Sequence, residues 1–216
     1  MENKTIIEEL IRRYPQFEDI TYKIIEAAER LIRCYQNGNK VLICGNGGSS
    51  SDSDHIAGEL LKGFEEKRPL NDQMKNQLLS VSAKRGQFLA EKLQTGLPAI
   101  SLSAHSALVT AVANDTDAHL IFAQQVIGFG SPGDVLIGIS TSGNAQSVVD
   151  AAITARAIGM SVIGLTGATG GKLKACCDIL INVPEKRTSF VQELHLPVYH
   201  ALCMIIENHF FGNKEQ

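Results

Sequence analysis

A chain of 216 residues with 44% hydrophobic and 20% charged residues has material for one full core and the balance of a globular protein. Its net charge of −3, without a dense Lys/Arg run, argues against nucleic-acid binding, and no apolar run reaches membrane-spanning length. Five cysteines, two of them adjacent and none in CxxC spacing, argue against a disulfide framework or zinc ribbon. With an acidic start, MENKTIIEEL, that lacks a signal-peptide core, they fit a reduced cytoplasm.

In chain order, residues 4–13 and about 18–37 read as two helices. In the second, Ile24, Ile25, Ala28, Leu31, Ile32 and Tyr35 recur near the helical period, and Gly38 suits its C-terminal cap. The stretch KVLICGNGGSSSDSDHIAGE, residues 40–59, carries the strongest signal. Val41–Cys44 reads as a strand buried on both faces, Gly45–Gly48 breaks it, and Ser49–Asp54 offers hydroxyls and carboxylates suited to starting a helix. A strand, a glycine turn and a helix N-terminus direct backbone N–H groups toward an anion. On that helix His55 and Glu59 lie about 40° apart and share a face.

Residues 62–94 are polar and charged. Pro69 interrupts them, Asn71 or Asp72 can cap a helix, and weak periodicity predicts a partly exposed helix or lid. The second half then alternates: strand 98–102, helix 104–113, the turn ANDTD, helix 120–129, strand 134–140, helix 145–158, strand 161–166, the loop GATGG with a short helix, strand 178–183 and a long helix 188–211. Five short apolar strands alternating with helices predict an open, doubly wound α/β domain with a parallel sheet and ligands at the carboxyl ends of its strands.

A second Ser/Gly turn, STSGNAQS at 140–147, follows the strand DVLIGI. Ser140, Thr141 and Ser142 there can ring a phosphate. Two such turns after core strands of one sheet favour a phosphorylated ligand, and neither has the spacing of a P-loop or a dinucleotide fingerprint.

GNGGS with its following Asp and HxxxE, the NDT turn, GDVLIGISTSGN, GLTGxxGG and VQELHLPVYH occur in this order. Together they resemble the SIS (sugar isomerase) domain family, most of all its sedoheptulose 7-phosphate isomerases, over about residues 20–211 outside the 70–95 segment. The resemblance implies a single SIS domain over 1–216: a three-layer α/β sandwich around a five-stranded parallel sheet, with N-terminal helices over 1–38 and an inserted helical segment at about 65–95. It implies a cytoplasmic homo-oligomer, a tetramer with sites between subunits, acting on a phosphorylated sugar.

By the same resemblance, Asn46, Gly47, Ser49, Ser140, Thr141 and Ser142 match phosphate and sugar contacts, and Asn114 and Asp115 match a turn that holds sugar hydroxyls. His55, Glu59, Gln192 and His200 match ligands of Zn2+, Gln192 also facing substrate, and Glu59 and His200 match the pair that moves the proton in an aldose–ketose shift. Two imidazoles and two oxygen donors are a suitable zinc set, and Gln192 and His200 lie about 80° apart on one helix. His195 lies about 140° from His200 and reads as a packing or substrate-edge residue. Ala145, Gly63 and Ser189 depart from the serine, arginine and aspartate usual in the family, with Ser147 near the first. The alternative is a non-catalytic SIS protein, a protein-binding or sugar-phosphate-sensing platform; such relatives tend to lose the four metal and proton-transfer positions that this chain keeps.

Overall fold

The computed structural model describes residues 3–212. Five strands, β1 (Val41–Gly45), β2 (Ala99–Ser101), β3 (Val135–Ser140), β4 (Ser161–Thr166) and β5 (Ile179–Asn182), form one all-parallel sheet in the order β2-β1-β3-β4-β5. Because side chains alternate across a strand, each one feeds two cores. Val41, Ile43, Val135 and Ile137 pack beneath α1 (Asn3–Arg13), α2 (Thr21–Gln36), α3 (Gly48–Leu61) and α9 (Thr188–Phe211). Leu42, Cys44, Leu136 and Val162 pack on the other side with α7 (Ala123–Phe129) and α8 (Gln146–Ile158). The sandwich therefore has three layers, as expected. The strand order reverses between β1 and β3, so a crevice opens there at the carboxyl ends of the sheet.

Differences from the expected boundaries have local causes. Pro15 opens a 3-10 turn over Pro15–Ile20, so α2 starts only at Thr21. The helix α6 spans Ser106–Asp115, and Asp117 accepts from the His119 amide at 2.7 Å, capping a further 3-10 turn that delays α7 to Ala123. The single helix or lid expected after residue 70 is two helices, α4 (Asp72–Val81) and α5 (Ala83–Lys92), folded into a hairpin. Asn71 caps the first, accepting from Met74 N at 2.8 Å. Ser82 is extended, which breaks the helix, and Gly86 lets the second helix approach the Leu78 carbonyl, where a Cβ would collide. Leu79, Val81, Phe88 and Leu93 of this segment are exposed. At its neck Pro69 bridges Gln94, Thr95 N donates to Arg68 O at 2.7 Å, and Gly63 N donates to Gln94 Oε1 at 3.0 Å.

One buried ion pair ties this neck to α9. Glu207 accepts from Arg68 Nε at 2.8 Å and from the backbone amides of Phe64, Glu65 and Glu66 at 2.8, 2.8 and 3.1 Å. Arg68 spends its other nitrogens on the carbonyls of Leu60 and Glu59, at 2.7 and 3.0 Å, satisfying the C-terminal end of α3. Its guanidinium also lies over the Phe211 ring, 4.8 Å from the centroid.

His195 of α9 is fully buried, and neither ring nitrogen has a hydrogen-bond partner. Burial pulls its pKa down from 6.5 to about 4, the nearby Thr166 backbone offsetting only part of this. Between those values the unfolded chain binds the proton and the folded chain does not, so stability is full above 6.5 and falls as the pH drops toward 4. The expected loss is about 3 kcal/mol. Denaturant titrations across this range should show that slope, and His195→Leu should flatten it; an unchanged slope in the variant would assign the acid sensitivity elsewhere.

Candidate active site

The first turn of the site is built by glycine. Gly47, at φ 58°, is the N-cap of α3 and takes a backbone conformation that costs other residues dearly. Ser49 N and Ser50 N close back onto the carbonyls of Asn46 and Gly47 at 3.1 and 3.0 Å. Asn46, Gly47 and Gly48 are left exposed at the carboxyl end of β1, while Ser49 is buried beneath them.

The second turn follows β3, whose neighbouring register with β1 (Gly45 opposite Ile139) brings the two turns to the same edge. Gly143 N donates to Ser140 O at 3.0 Å, and Asn144 N donates to Ser142 Oγ at 3.1 Å. The GATGG loop buttresses it from behind. Gly167 N donates to Thr141 O at 2.9 Å, Lys172 N to Asn144 Oδ1 at 3.1 Å, and Leu173 N to Gly143 O at 2.9 Å. Gly143 has φ 68° and lies so close to the Gly170 carbonyl that a side chain there would collide. Asn46 Nδ2 donates to Ser147 Oγ at 3.0 Å, joining the two turns across the crevice. Ser147 thus becomes a strut between them, which the Ser-rich spacing alone did not identify.

The structure brings Asn46, Gly47 and Ser49 together with Ser140, Thr141 and Ser142, and it sets the Gln192 amide against Gly48 at the same end. Asn114 and Asp115 make none of these contacts. They are exposed at the end of α6, and Asn114 Nδ2 donates to Asp115 Oδ1 at 2.8 Å.

A second cluster lies farther along α3 and α9, about 10–16 Å below the helix N-terminus at 1.5 Å per residue. His55 Nε2 is 3.3 Å from Glu59 Oε1, and Lys62 Nζ is 3.1 Å from Glu59 Oε2. The His200 ring stands edge-on to His55, 5.1 Å between centroids, and against Phe64 at 5.2 Å. His200 Nε2 is buried without a partner. Burial lowers the His200 pKa, and the neighbouring His55 adds to the effect while Glu59 opposes it. A neutral imidazole with an uncommitted nitrogen beside a carboxylate is equipped to take and return protons.

Two further residues hold this cluster: Asp52, the Asp that follows GNGGS, and Tyr199, which the sequence did not single out. Tyr199 Oη donates to Asp52 Oδ1 at 3.2 Å and lies 3.1 Å from His55 Nδ1. Burial, then the Asp52 charge, pushes the phenol pKa up, so Tyr199 keeps its hydrogen. Burial also raises the Asp52 pKa, against the lowering effect of the Tyr199 hydrogen bond. Neither residue type carries a spacing signal of its own.

The donor types suit a divalent cation. Two nitrogens and a carboxylate converge, and the orphaned His200 Nε2 has no protein partner to release. Their spacing is open, however: among the described residues no group of three or more His, Cys, Asp or Glu side chains is drawn in tightly enough to hold a metal ion. Gln192, the fourth expected ligand, rests against Gly48 at the first turn instead. His200 also lines a cavity of about 300 Å³ with Glu9 and Arg13 of α1, Phe64 and Glu65.

A family model described as SIS domain matches residues 7–92 and 82–167. The chain is 42% identical over 194 residues to a phosphoheptose isomerase of Trichlorobacter lovleyi, covering 90% of this chain and 86% of that protein. It is 37% identical over 197 residues to a phosphoheptose isomerase of Aneurinibacillus thermoaerophilus, covering 91% and 86%. Among solved structures, phosphoheptose isomerase GmhA from Neisseria gonorrhoeae superposes with a TM-score of 0.72 at 34% identity, covering 93% of this chain and 94% of that one. A phosphoheptose isomerase from Francisella tularensis gives 0.75 at 32% identity, covering 95% and 96%. Among the described residues no helix is long and apolar enough to cross a membrane.

Proposed function

We propose, since this chain belongs to the SIS-domain family and within it to the phosphoheptose isomerases, that it is a phosphosugar isomerase converting sedoheptulose 7-phosphate to D-glycero-D-manno-heptose 7-phosphate through an enediol. The observation that carries this reading is the pairing of two features: Ser/Gly turns flanking the β1/β3 crevice, and Glu59 and His200, each against His55, on the two helices that descend from it. With relatives of 34–42% identity named as phosphoheptose isomerases, the non-catalytic platform is not favoured.

In this reading Asn46, Gly47, Ser49, Ser140, Thr141 and Ser142 hold the phosphate and fix the sugar without taking part in bond making. Gln192 reaches the same end, and Asn114 with Asp115 would meet the sugar hydroxyls. Glu59 and His200 share the chemistry. One takes the proton from the carbon beside the carbonyl and gives it to the former carbonyl carbon once the enediol has formed. The other carries the hydroxyl proton of the first carbon to the carbonyl oxygen, so that both groups end as they began. Burial keeps His200 neutral and therefore able to accept. His55, Glu59 and His200, with Gln192 as fourth donor, would hold a zinc ion, whose bound charge would polarise the carbonyl oxygen. We read residues 1–216 as one domain, assembled in the cytoplasm as a homotetramer with sites between subunits.

The test is proton exchange. Full-length protein loaded with zinc is given sedoheptulose 7-phosphate in deuterated water and followed by NMR. The expected result is deuterium at the carbon beside the carbonyl together with the aldose product. Folded, zinc-loaded protein that leaves the substrate unlabelled would overturn the heptose assignment.

A further inference from the structure

Tyr199 occupies an unusual position. It is 1% exposed, and its one hydroxyl sits between two groups, 3.2 Å from Asp52 Oδ1 and 3.1 Å from His55 Nδ1. A phenol has one hydrogen to give, and a carboxylate oxygen can only accept, so that hydrogen goes to Asp52. Asp52 Oδ2 is buried without a partner, which leaves Tyr199 as the donor that satisfies this carboxylate. The phenol oxygen then offers a lone pair to His55, and only a hydrogen on Nδ1 can complete that contact.

We propose that Tyr199, oriented by Asp52, is a positioning residue that fixes His55 with its hydrogen on Nδ1 and its Nε2 lone pair turned toward Glu59. The consequence is visible at the other ring nitrogen. His55 Nε2 faces Glu59 Oε1 at 3.3 Å, an acceptor against an acceptor. Two facing lone pairs repel unless a proton or a metal cation lies between them, so with a neutral ring the clamp presents a half-formed binding site to a metal. Tyr199 and His200 are adjacent on α9, and the Tyr199 ring stands edge-on to both imidazoles, at 5.5 Å from His55 and 5.1 Å from His200. One helix thus supplies a nitrogen to the cluster and sets the orientation of another.

This inference rests on the reading of His55, Glu59 and His200 as cation ligands, and its test separates the two. The 15N shifts of His55, assigned by difference with His55→Gln, report its tautomer in metal-free full-length protein at alkaline pH. The wild type is expected to show hydrogen on Nδ1, and Tyr199→Phe, which keeps the ring, to lose that preference. Hydrogen on Nε2 in the wild type, or the same tautomer in both proteins, would overturn the clamp. In parallel, Zn2+ affinity measured by chelator competition should fall about 10–100-fold in Tyr199→Phe. Equal zinc affinity in both proteins would overturn the clamp's role toward the metal. A wild type that takes up no zinc would remove the cation reading, while the tautomer comparison would still decide the clamp.

Discussion

Replacing Glu59 with Gln should lower turnover of sedoheptulose 7-phosphate by about a hundred- to ten-thousand-fold, the range contributed by a positioned acid or base. The substitution keeps the shape of a side chain that is only 12% exposed, and it removes the charge that faces His55 and Lys62. The glycine turn at the start of α3 lies about 16 Å away along that helix, and both turns keep every hydrogen bond described for them, so KM should move far less than kcat. The backbone carbonyl of Glu59 still receives Arg68, and thermal unfolding should therefore be close to that of the parent. Steady-state kinetics with a melting curve on the same sample check the expectation. A variant turning over at the parent rate would remove Glu59 from the chemistry.

Glu207→Ala should destabilise the fold by about 3–5 kcal/mol, because it leaves the buried Arg68 guanidinium without its carboxylate and three backbone amides without an acceptor. Burial pushes the Glu207 pKa up, but those amides and Arg68 outweigh it and hold the carboxyl below its ordinary range. Its contribution is therefore present above the ordinary carboxylate range and lost as the pH falls through the lowered folded value. The double variant Arg68→Met, Glu207→Leu removes the unpaired charge and should recover only part of the loss, because the three amides and the carbonyls of Leu60 and Glu59 stay without these partners. Urea unfolding of the parent, single and double variants gives the comparison. A single variant as stable as the parent would show that the pair is not what holds the neck to α9.

Much of the fold is legible because its strands announce themselves. Val41–Cys44, Leu136–Ile139 and Val162–Leu165 are apolar runs, the last two interrupted only by Gly138 and Gly164, each leading into small or turn-forming residues, and a sheet covered on both faces needs such runs. The cradle is legible for a related reason, since glycine and serine directly after a buried strand have few other uses. The break at Ser82 is not, because neither half of the hairpin presents a strong apolar face, and a close approach at Gly86 decides the fold-back. Arg68 and Glu207 meet across 139 residues, a pairing that no local pattern can signal. The contact of Tyr199 with Asp52 escapes notice likewise, as it depends on a hydroxyl shared between two elements. Asn114 and Asp115 were reached through the family resemblance, and the single chain leaves them paired with each other.

The neck of the helical hairpin has a consequence for how this chain can change. Departure at Pro69 and return at Gln94 happen at one bridged point, and the residues that fasten that point lie outside the hairpin. The segment between can lengthen, shrink to a turn or acquire a new surface at a small entropic cost without shifting a strand. Variation in length and chemistry can collect there, beside a sheet whose two Ser/Gly turns are pinned by close backbone contacts.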